Sequence, residues 1–345
     1  MGAGTGEWQT GLDATDRVLI DGFQSGFPLQ PNPFDAVGET LETDPADALE
    51  RLKQLLDRGI VRRFGAVLNP PVIGSSTLAA VQAPMERFDA IARVVNGYDQ
   101  VNHNYRREHA WNMWFVVTAA TQDRRDRILA EISERSGCEV LNLPMLTDYY
   151  IDLEFPVVND DRIAREGVTE TEVNATRISE EAIGDLTDTE RAMILAIQDG
   201  FPVTMTPYAD IGGQLGTDAE TVVETIGALC EKRCIKRVGC VVNHITTGFT
   251  ANCMVVWDVP DAALDQRGEQ VGRLPYVTLC YHRPRRPEQG WRYNLFTMVH
   301  GREAAFVDAK IDELATDHLP YPHERLYSVE KLKQTGARYR ALLDE

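Results

Sequence analysis

The sequence predicts an α+β fold made by tandem duplication, in which each copy is a helix-turn-helix domain followed by a ferredoxin-like βαββαβ domain. The first observation behind this prediction is an internal repeat, because Leu12–Pro28 aligns with Leu186–Pro202 at an offset of 174 residues. The second is that helix-like and strand-like patterns follow the same order in both copies. The third is length, since 345 residues is ample for two units of about 150 residues each.

The first part of each copy is predicted to form three helices. Asp13 and Thr187 are N-cap residues of the first helix, which ends before a Gly-Phe-Pro sequence in both copies. A short second helix, a turn and a third helix complete a helix-turn-helix outline. The second and third helices are expected over 34–41 and 44–57 in copy one, and over 208–215 and 218–231 in copy two.

The second part of each copy alternates apolar strands with amphipathic helices. A strand at 61–68 or 235–242 leads into the βαββαβ pattern, which predicts a four-stranded antiparallel sheet with helices on one face. We expect the segments around Asn69–Pro71, Gly74 and Gly248 to be hairpin connections. The remaining elements are expected at 77–83, 85–95, 123–136 and 140–152 in copy one and at 251–256, 261–274, 303–316 and 324–328 in copy two, with two strands around a cationic loop in each.

These patterns divide the chain into five predicted segments. Between the copies, residues 156–185 are polar and acidic without an apolar period, which indicates a linker. The helix-turn-helix domains are assigned to 1–59 and 186–233, and the ferredoxin-like domains to 60–155 and 234–345.

The composition argues against several classes of protein. The net charge is −18, with 6 Lys against 29 Arg, and such a surface repels nucleic acid. No run of 18 apolar residues and no signal-peptide pattern is found, so a soluble cytoplasmic protein is expected. The six cysteines form no CxxC pair, which indicates buried reduced thiols rather than a metal site. Scarce Lys with abundant acid is also typical of a high-salt cytoplasm, and this remains a hypothesis.

The helix-turn-helix outline leaves a transcriptional regulator open as an alternative. The third helix should then be basic in order to meet DNA phosphates. It is acidic in both copies: Asp218, Glu220, Glu224 and Glu231 stand against Lys232 and Arg233 in copy two. The sequence therefore disfavours DNA binding.

Two segments gather cationic and aromatic residues in this acidic chain. They are Val101–Phe115 (VNHNYRREHAWNMWF) and Val277–Gly301 (VTLCYHRPRRPEQGWRYNLFTMVHG). Arg binds carboxylates bidentately, aromatic rings cover an apolar plane, and His exchanges protons near neutral pH. The two segments therefore indicate a flat, multiply anionic ligand.

The motifs RRFGAVLN, VNHNYRREHAWNMWFVVTA, LPYVTLCYHRPRRPEQGWRYNLFTMVHG and LYSVEKLKQTGARY are similar to the siroheme decarboxylase family, which is built on the Lrp/AsnC regulator architecture. The chain resembles the fused form, in which two related subunits have become one polypeptide. The resemblance implies removal of CO₂ from the C12 and C18 acetates of siroheme to give 12,18-didecarboxysiroheme, in heme or heme d1 biosynthesis. It also implies siroheme as the partner, no organic cofactor, no protein-bound metal, and two sheets that pair face to face.

The site residues follow from this chemistry, because eight peripheral carboxylates need several Arg and the new methyl group needs a proton donor. His103 and His109 are the candidate catalytic residues. The candidate substrate-binding residues are Arg62, Arg63, Tyr105, Arg106, Arg107, Trp111, His282, Arg283, Arg292 and His300.

The histidines differ between the copies, which predicts a division of labour. Local offsets of 176 to 180 residues place His103 opposite Leu279, His109 opposite Gln289, His282 opposite Arg106, and His300 opposite Ala120. We expect the main pocket in copy one, alone or completed by copy two. Three structural interpretations stay open: the copy-one histidines as a surface pair, Arg62 and Arg63 as a solvated strand end, and the aromatics as core. A tetrapyrrole sensor without catalysis is the remaining functional alternative.

Overall fold

The computed structural model describes residues 9–151, 176–177, 186–243 and 245–335. Most of the predicted linker lies outside them. The helices of copy one are α1 (Ala14–Gly22), α2 (Pro33–Thr40), α3 (Pro45–Asp57), α4 (Pro70–Ile73), α5 (Phe88–Asn96) and α6 (Gln122–Ser136). Its strands are β1 (Val61–Leu68), β2 (Ser75–Val81), β3 (Val101–Arg107), β4 (Met113–Ala119), β5 (Val140–Pro144) and β6 (Thr147–Ile151), and β7 (Thr176–Arg177) follows.

Copy two repeats this order. Its helices are α7 (Asp188–Ile197), α8 (Pro207–Leu215), α9 (Ala219–Glu231), α10 (Asp261–Gly272) and α11 (Ala304–Glu313), the last continued by a π-helical turn at Leu314–His318. Its strands are β8 (Ile235–Val242), β9 (Ala251–Trp257), β10 (Val277–His282), β11 (Leu295–Gly301) and β12 (His323–Gln334). Asp13 and Thr187 cap α1 and α7 as predicted, each within a capping box. The predicted α+β duplication is confirmed.

The described chain forms two compact units, which divide it after Asn69 and after Thr250. The first unit holds both helix-turn-helix segments together with β1 and β8, which pair with each other in antiparallel register. The hairpins predicted between β1 and β2 and, at Gly248, between β8 and β9 are therefore wrong, because β1 and β8 pair with each other and α4 fills the first connection. Gly65 allows β1 to lie close against the copy-two backbone at Gly200. Its φ is +144°, and a Cβ there would lie 2.9 Å from the Cα of Gly200.

The second unit is built on one ten-stranded sheet. Its strand order is β5-β2-β4-β3-β12-β9-β11-β10-β6-β7. The first four strands belong to copy one, and β9, β11 and β10 belong to copy two, so each copy contributes one half-sheet. The strand order β5-β2-β4-β3 corresponds to the antiparallel βαββαβ arrangement predicted for copy one.

Each half-sheet is completed by a strand from the other copy, which we call an exchanged strand. The sequence did not predict this exchange. The single strand expected at 140–152 is two strands: β5 pairs with β2 of its own copy, and β6 crosses to pair with β10 of copy two. The strand expected at 324–328 extends to Gln334, and its second half pairs with β3 of copy one. Each copy therefore finishes the sheet of the other.

Side-chain packing explains why β6 leaves its own copy. Tyr149 and Tyr150 are buried in the core of copy two, among Val271, Tyr276 and Cys280. A Cβ at Gly268 of α10 would lie 2.4 Å from the Tyr149 ring, so only glycine allows the helix to approach it. The Tyr149 hydroxyl also donates a hydrogen bond of 2.5 Å to Asp265.

Alternate residues of the strands point to two different environments. On one face, which we call the outer face, Phe115 and Val255 pack under the helices of their own copies. On the other, the inner face, one shared cluster joins Trp114 and Leu141 of copy one to Tyr281 and Phe296 of copy two. The predicted face-to-face pairing of the half-sheets is thus present, in addition to the hydrogen bonds along their edges.

The cysteines and the helices bear on two further expectations. All six cysteines lie within the described residues as free thiols, and five of them are buried, as predicted. None of the helices that the structure describes combines the length and the apolar character needed to cross a membrane.

Candidate functional site

The cationic segment of copy one forms β3, the loop that follows it and β4. Along β3 the side chains of Asn104 and Arg106 belong to the outer face, because these residues pair with Phe115 and Met113. His103, Tyr105 and Arg107 therefore point to the inner face. His103 and Tyr105 are half-buried, and their rings are stacked 6.4 Å apart with an interplanar angle of 11°.

Arg107 and Arg283 occupy equivalent positions at the ends of β3 and β10. Each is 7% exposed, and each lies over a tyrosine two residues earlier, with 6.0 Å from Cζ to the ring centroid of Tyr105 and 4.6 Å to that of Tyr281. Arg107 donates to the carbonyl of Leu326, and Arg283 donates to the carbonyl of Leu143. Each guanidinium thus binds a strand of the opposite copy, Arg107 binding β12 and Arg283 binding β5.

Neither guanidinium has a carboxylate partner among the residues that the structure describes, and in both the buried Nε has no hydrogen-bond acceptor there. Burial lowers the pKa of both groups, since removal from water penalises the cation. An unpaired buried charge costs several kcal/mol. The inner face therefore holds two cations that an anionic ligand would stabilise.

An asparagine at the end of each loop holds the backbone of both arginines in the same way. The backbone N–H of Arg107 donates to the carbonyl of Asn112 at 2.9 Å, and Arg283 donates to Asn294 at 2.9 Å. The Asn112 amide in turn binds both backbone groups of Ala83, with two hydrogen bonds of 2.8 Å. Asn294 binds Val259 in the same way, so the loops are held at both ends although their lengths differ.

His109 lies in the copy-one loop and is held by residues of both copies. The backbone N–H of Trp111 donates to its Nδ1 at 2.9 Å, so Nε2 carries the proton and donates it to Glu324. The Tyr293 hydroxyl donates to the other oxygen of Glu324 at 2.6 Å. The His109 ring also meets the edge of Trp291 at 5.9 Å. One carboxylate of copy two therefore sets the tautomer and orientation of a histidine of copy one.

His300 lies on the inner face of copy two, buried, with Nδ1 2.8 Å from the hydroxyl of Thr278. Its counterpart is Thr118, not Ala120 as the sequence offset indicated, because Thr118 and His300 each lie six residues after the asparagine that anchors the loop. The offset was wrong because the copy-two loop is longer. Thr118 is hydrogen-bonded to Asn102 at 3.2 Å, in the place of Thr278.

The structure places three predicted residues of the second unit away from this inner face. Arg106 lies on the outer face, 3.4 Å from Glu330, and Arg292 is exposed and ion-paired with Asp258 at 2.6 Å. His282 also lies on the outer face, where burial lowers its pKa despite the nearby Asp265 and Asp261. Arg62 and Arg63 belong to β1 of the first unit, which holds the helix-turn-helix segments.

Two residues of the site were missed by the sequence reasoning. Glu324 and Tyr293 join His109 only because β12 and the copy-two loop reach copy one. Glu324 carries no motif of its own and stands far from His109 in sequence. Tyr293 stands in the cationic segment Val277–Gly301, and the composition of that segment was the one signal that pointed to it. Trp111, in contrast, was singled out and is buried in the shared inner cluster.

Fold and site together define a class: a duplicated AsnC-like protein whose ligand-binding sheet presents buried cations. A family model described as AsnC-like ligand binding domain matches residues 73–149 and 246–333. A second, described as Siroheme decarboxylase NirDL-like HTH domain, matches residues 16–62 and 190–235.

Known proteins narrow this class. The chain is 37% identical to the siroheme decarboxylase NirDL subunit of Paracoccus denitrificans, over 94% of this chain and 97% of the relative. It is 43% identical to the NirD subunit of Pseudomonas aeruginosa over 42% of this chain and 97% of that subunit, the span of a single copy. A crystal structure of the siroheme decarboxylase NirDL with an iron-uroporphyrin III analogue shares the fold, with a TM-score of 0.69, 22% identity and 96% and 95% coverage of the two chains. The chain belongs to the siroheme decarboxylase family, in its fused two-subunit form, which is a family of carboxy-lyases.

Proposed function

We propose that this protein decarboxylates siroheme, removing CO₂ from the C12 and C18 acetates to give 12,18-didecarboxysiroheme. The observation that carries the proposal is the buried Arg107 guanidinium without a carboxylate partner among the described residues, on the inner face of an AsnC-like sheet. A peripheral carboxylate of the macrocycle would pair with this charge. Relatives named as siroheme decarboxylases over nearly the full chain support the choice of substrate.

The reaction needs an electron acceptor and a proton donor. When the bond between the acetate CH₂ and its carboxylate breaks, CO₂ leaves and the electron pair passes into the conjugated macrocycle. A proton is then delivered to the CH₂ carbon, the electron pair returns from the macrocycle to form the new C–H bond, and the carbon becomes a methyl group. No organic cofactor is required in this scheme, because the macrocycle supplies the acceptor and the iron belongs to the substrate.

We assign the proton transfer to His103 and a positioning role to His109. His103 is half-buried beside Tyr105 on the inner face, where a ring-shaped ligand would contact both. His109 has both nitrogens engaged, by Trp111 and Glu324. We therefore infer that His109 orients Trp111 and Trp291, both of which it contacts, and does not itself give up a proton.

Anaerobic incubation of the protein with siroheme tests the proposal. Mass spectrometry of the extracted pigment should show the loss of one CO₂ and then of a second, and NMR of the product should place the new methyl groups at C12 and C18. A pigment that binds with a shifted absorbance but keeps its mass would contradict the enzyme and indicate a sensor. Loss of CO₂ from propionates would contradict the assignment of the carbons.

A further inference from the structure

The exchanged strands complete the two half-sheets in equivalent ways. β12 runs along β3 of copy one, and β6 runs along β10 of copy two. The buried arginines fix the correspondence between them, because Arg107 binds the carbonyl of Leu326 and Arg283 binds that of Leu143. Five residues after these leucines stand Lys331 and Asp148.

Lys331 and Asp148 hold the same position in the two half-sheets. Lys331 pairs with Tyr105 across the antiparallel ladder, and Asp148 pairs with Tyr281. Residues directly opposite each other in a ladder share a face of the sheet. Both side chains therefore belong to the inner face, beside the tyrosine over which a buried arginine lies. One edge carries a cation and the other an anion.

Neighbouring residues on β12 confirm that Lys331 is the inner one of its two lysines. Leu332 packs against the copy-one core of the outer face. The Lys333 ammonium donates to the carbonyls of Asn96 and Tyr98 at the end of α5, at 2.8 and 2.9 Å. The chain has six lysines in all, and two of them stand on this strand.

The half-sheets also differ in how open they are. Lys331 is exposed, and His103 and Tyr105 are half-buried, so this part of the copy-one inner face is accessible to solvent. In copy two, Leu279 replaces His103 in the register, Tyr281 is buried, and Asp148 is half-buried. A carboxylate at the position that Lys331 holds in copy one repels another anion instead of attracting it.

We propose that the polyanionic ligand binds the copy-one half-sheet alone, and that Lys331, brought there by the last strand of copy two, binds one of its carboxylates. Asp148 makes the equivalent position of copy two unfavourable for the same ligand. This inference rests on the proposed function for the identity of the ligand. It assigns one site per chain and makes β12 part of that site.

Equilibrium titration of the full chain with iron-uroporphyrin III, followed by absorbance, tests the inference. The wild-type protein should bind one equivalent per chain. Lys331→Ala should weaken binding by about three- to fivefold and Lys331→Glu by about tenfold, because an exposed ion pair contributes up to about 1 kcal/mol and charge reversal adds repulsion. The loss should shrink as ionic strength rises.

Lys333→Ala is the matched control, since it removes the same charge from the outer face of the same strand. It should leave the affinity within about twofold, and circular dichroism will report any loss of fold. Two equivalents per chain, or equal losses for Lys331→Ala and Lys333→Ala, would overturn the inference. Asp148→Asn should not weaken binding, and a loss larger than that of Lys331→Ala would place the ligand in copy two.

The same samples separate this inference from the proposed function. If the wild-type chain binds one equivalent through Lys331 yet releases no CO₂ from siroheme, the function fails and the site stands. If CO₂ is released but the Lys331 variants bind and turn over like the wild type, the function stands and the site fails.

Discussion

The two half-sheets share a framework and differ at the positions where a ligand would meet them. Both keep a tyrosine and a buried arginine at the strand end, both anchor the following loop with an asparagine amide, and both bind the arginine to the opposite copy. They differ at three inner-face positions: His103 against Leu279, Thr118 against His300, and Lys331 against Asp148. We therefore attribute the shared architecture to the residues that both copies keep, and the proposed ligand binding to the residues that differ.

Arg107 and Arg283 each combine two features: a hydrogen bond that joins the copies and a buried positive charge. Both guanidiniums join the copies, since Arg107 binds a backbone carbonyl of β12 and Arg283 binds one of β5. A neutral side chain would pack in the same place without the cost of a buried charge. Under the proposed function, a carboxylate of the ligand would explain the charge of Arg107, and the charge of Arg283 would follow from the duplication alone.

The largest expected effect comes from the arginines. Arg107→Met should lower the rate of CO₂ release by about 10²-fold or more, because a buried charge-assisted contact to a carboxylate is worth about 3 kcal/mol or more when one partner is removed. Arg283→Met should lower it by about threefold at most. The measurement is single-turnover CO₂ release with siroheme.

Thermal unfolding supplies the control for this pair. Methionine fills a similar volume and removes an unpaired buried charge, so both variants should melt close to the wild type. Equal losses of activity in the two variants would contradict the assignment of the site to copy one.

The histidines should show the next largest difference. His103→Ala should depress turnover by about 10²-fold, since general acid catalysis contributes factors of this size. His300→Ala removes the inner-face histidine of copy two, which is hydrogen-bonded to Thr278, and should cost less than about threefold if its role is structural. Turnover of both variants under saturating siroheme decides between them, and the reverse order would move the proton donor to copy two.

Glu324 tests the link between the copies at the loop. Glu324→Gln keeps an acceptor for His109 Nε2 but removes the charge, and we expect turnover to fall by about tenfold. Tyr293→Phe removes one hydrogen bond to the same carboxylate and should cost about two- to threefold.

The split between kcat and KM distinguishes a positioning role from a structural one in these variants. If Glu324 orients His109 beside the aromatic rings, Glu324→Gln should lower kcat and leave KM within about twofold. An unchanged kcat per folded chain, with loss of folded protein alone, would mean that Glu324 only supports the fold.

The sequence predicted the helices well because local signals set their limits. Asp13 and Thr187 are caps, and the Gly-Phe-Pro sequences end α1 and α7, so these elements follow from residues that are close in sequence. The exchange of β6 and β12 did not follow, because it depends on contacts such as Tyr149 with Gly268 that are far apart in the chain. Arg107 was found from its local composition, whereas Glu324 and Lys331 enter the site only through the exchanged strand.

The smallest expected effect lies in the copy-two loop and concerns stability. Asp258 binds Arg285 and Arg292 at 3.0 and 2.6 Å, and copy one has Gln82 at the equivalent position, before the residue that its loop asparagine binds. Burial raises the pKa of Asp258, but the hydrogen bonds from the two arginines outweigh it, so that its pKa lies below the ordinary value of 3.8. The stabilisation is therefore present above that value and is lost as the pH falls through the lower, folded-state pKa.

Asp258→Asn converts this position to the uncharged amide type found in copy one. We expect the free energy of unfolding to fall by about 1–2 kcal/mol at pH 7. The difference from the wild type should begin to narrow below about pH 4 and should vanish only as the pH falls through the lower, folded-state pKa, where the wild-type carboxylate is protonated as well. Urea unfolding at pH 7 and at a pH below the folded-state pKa measures the difference in the free energy of unfolding. Gln82→Glu is the matched change in copy one, where no stabilisation is expected. An unchanged difference between the two pH values would show that the arginines act through packing rather than through charge, and the contrast between the two loops would then be one of length alone.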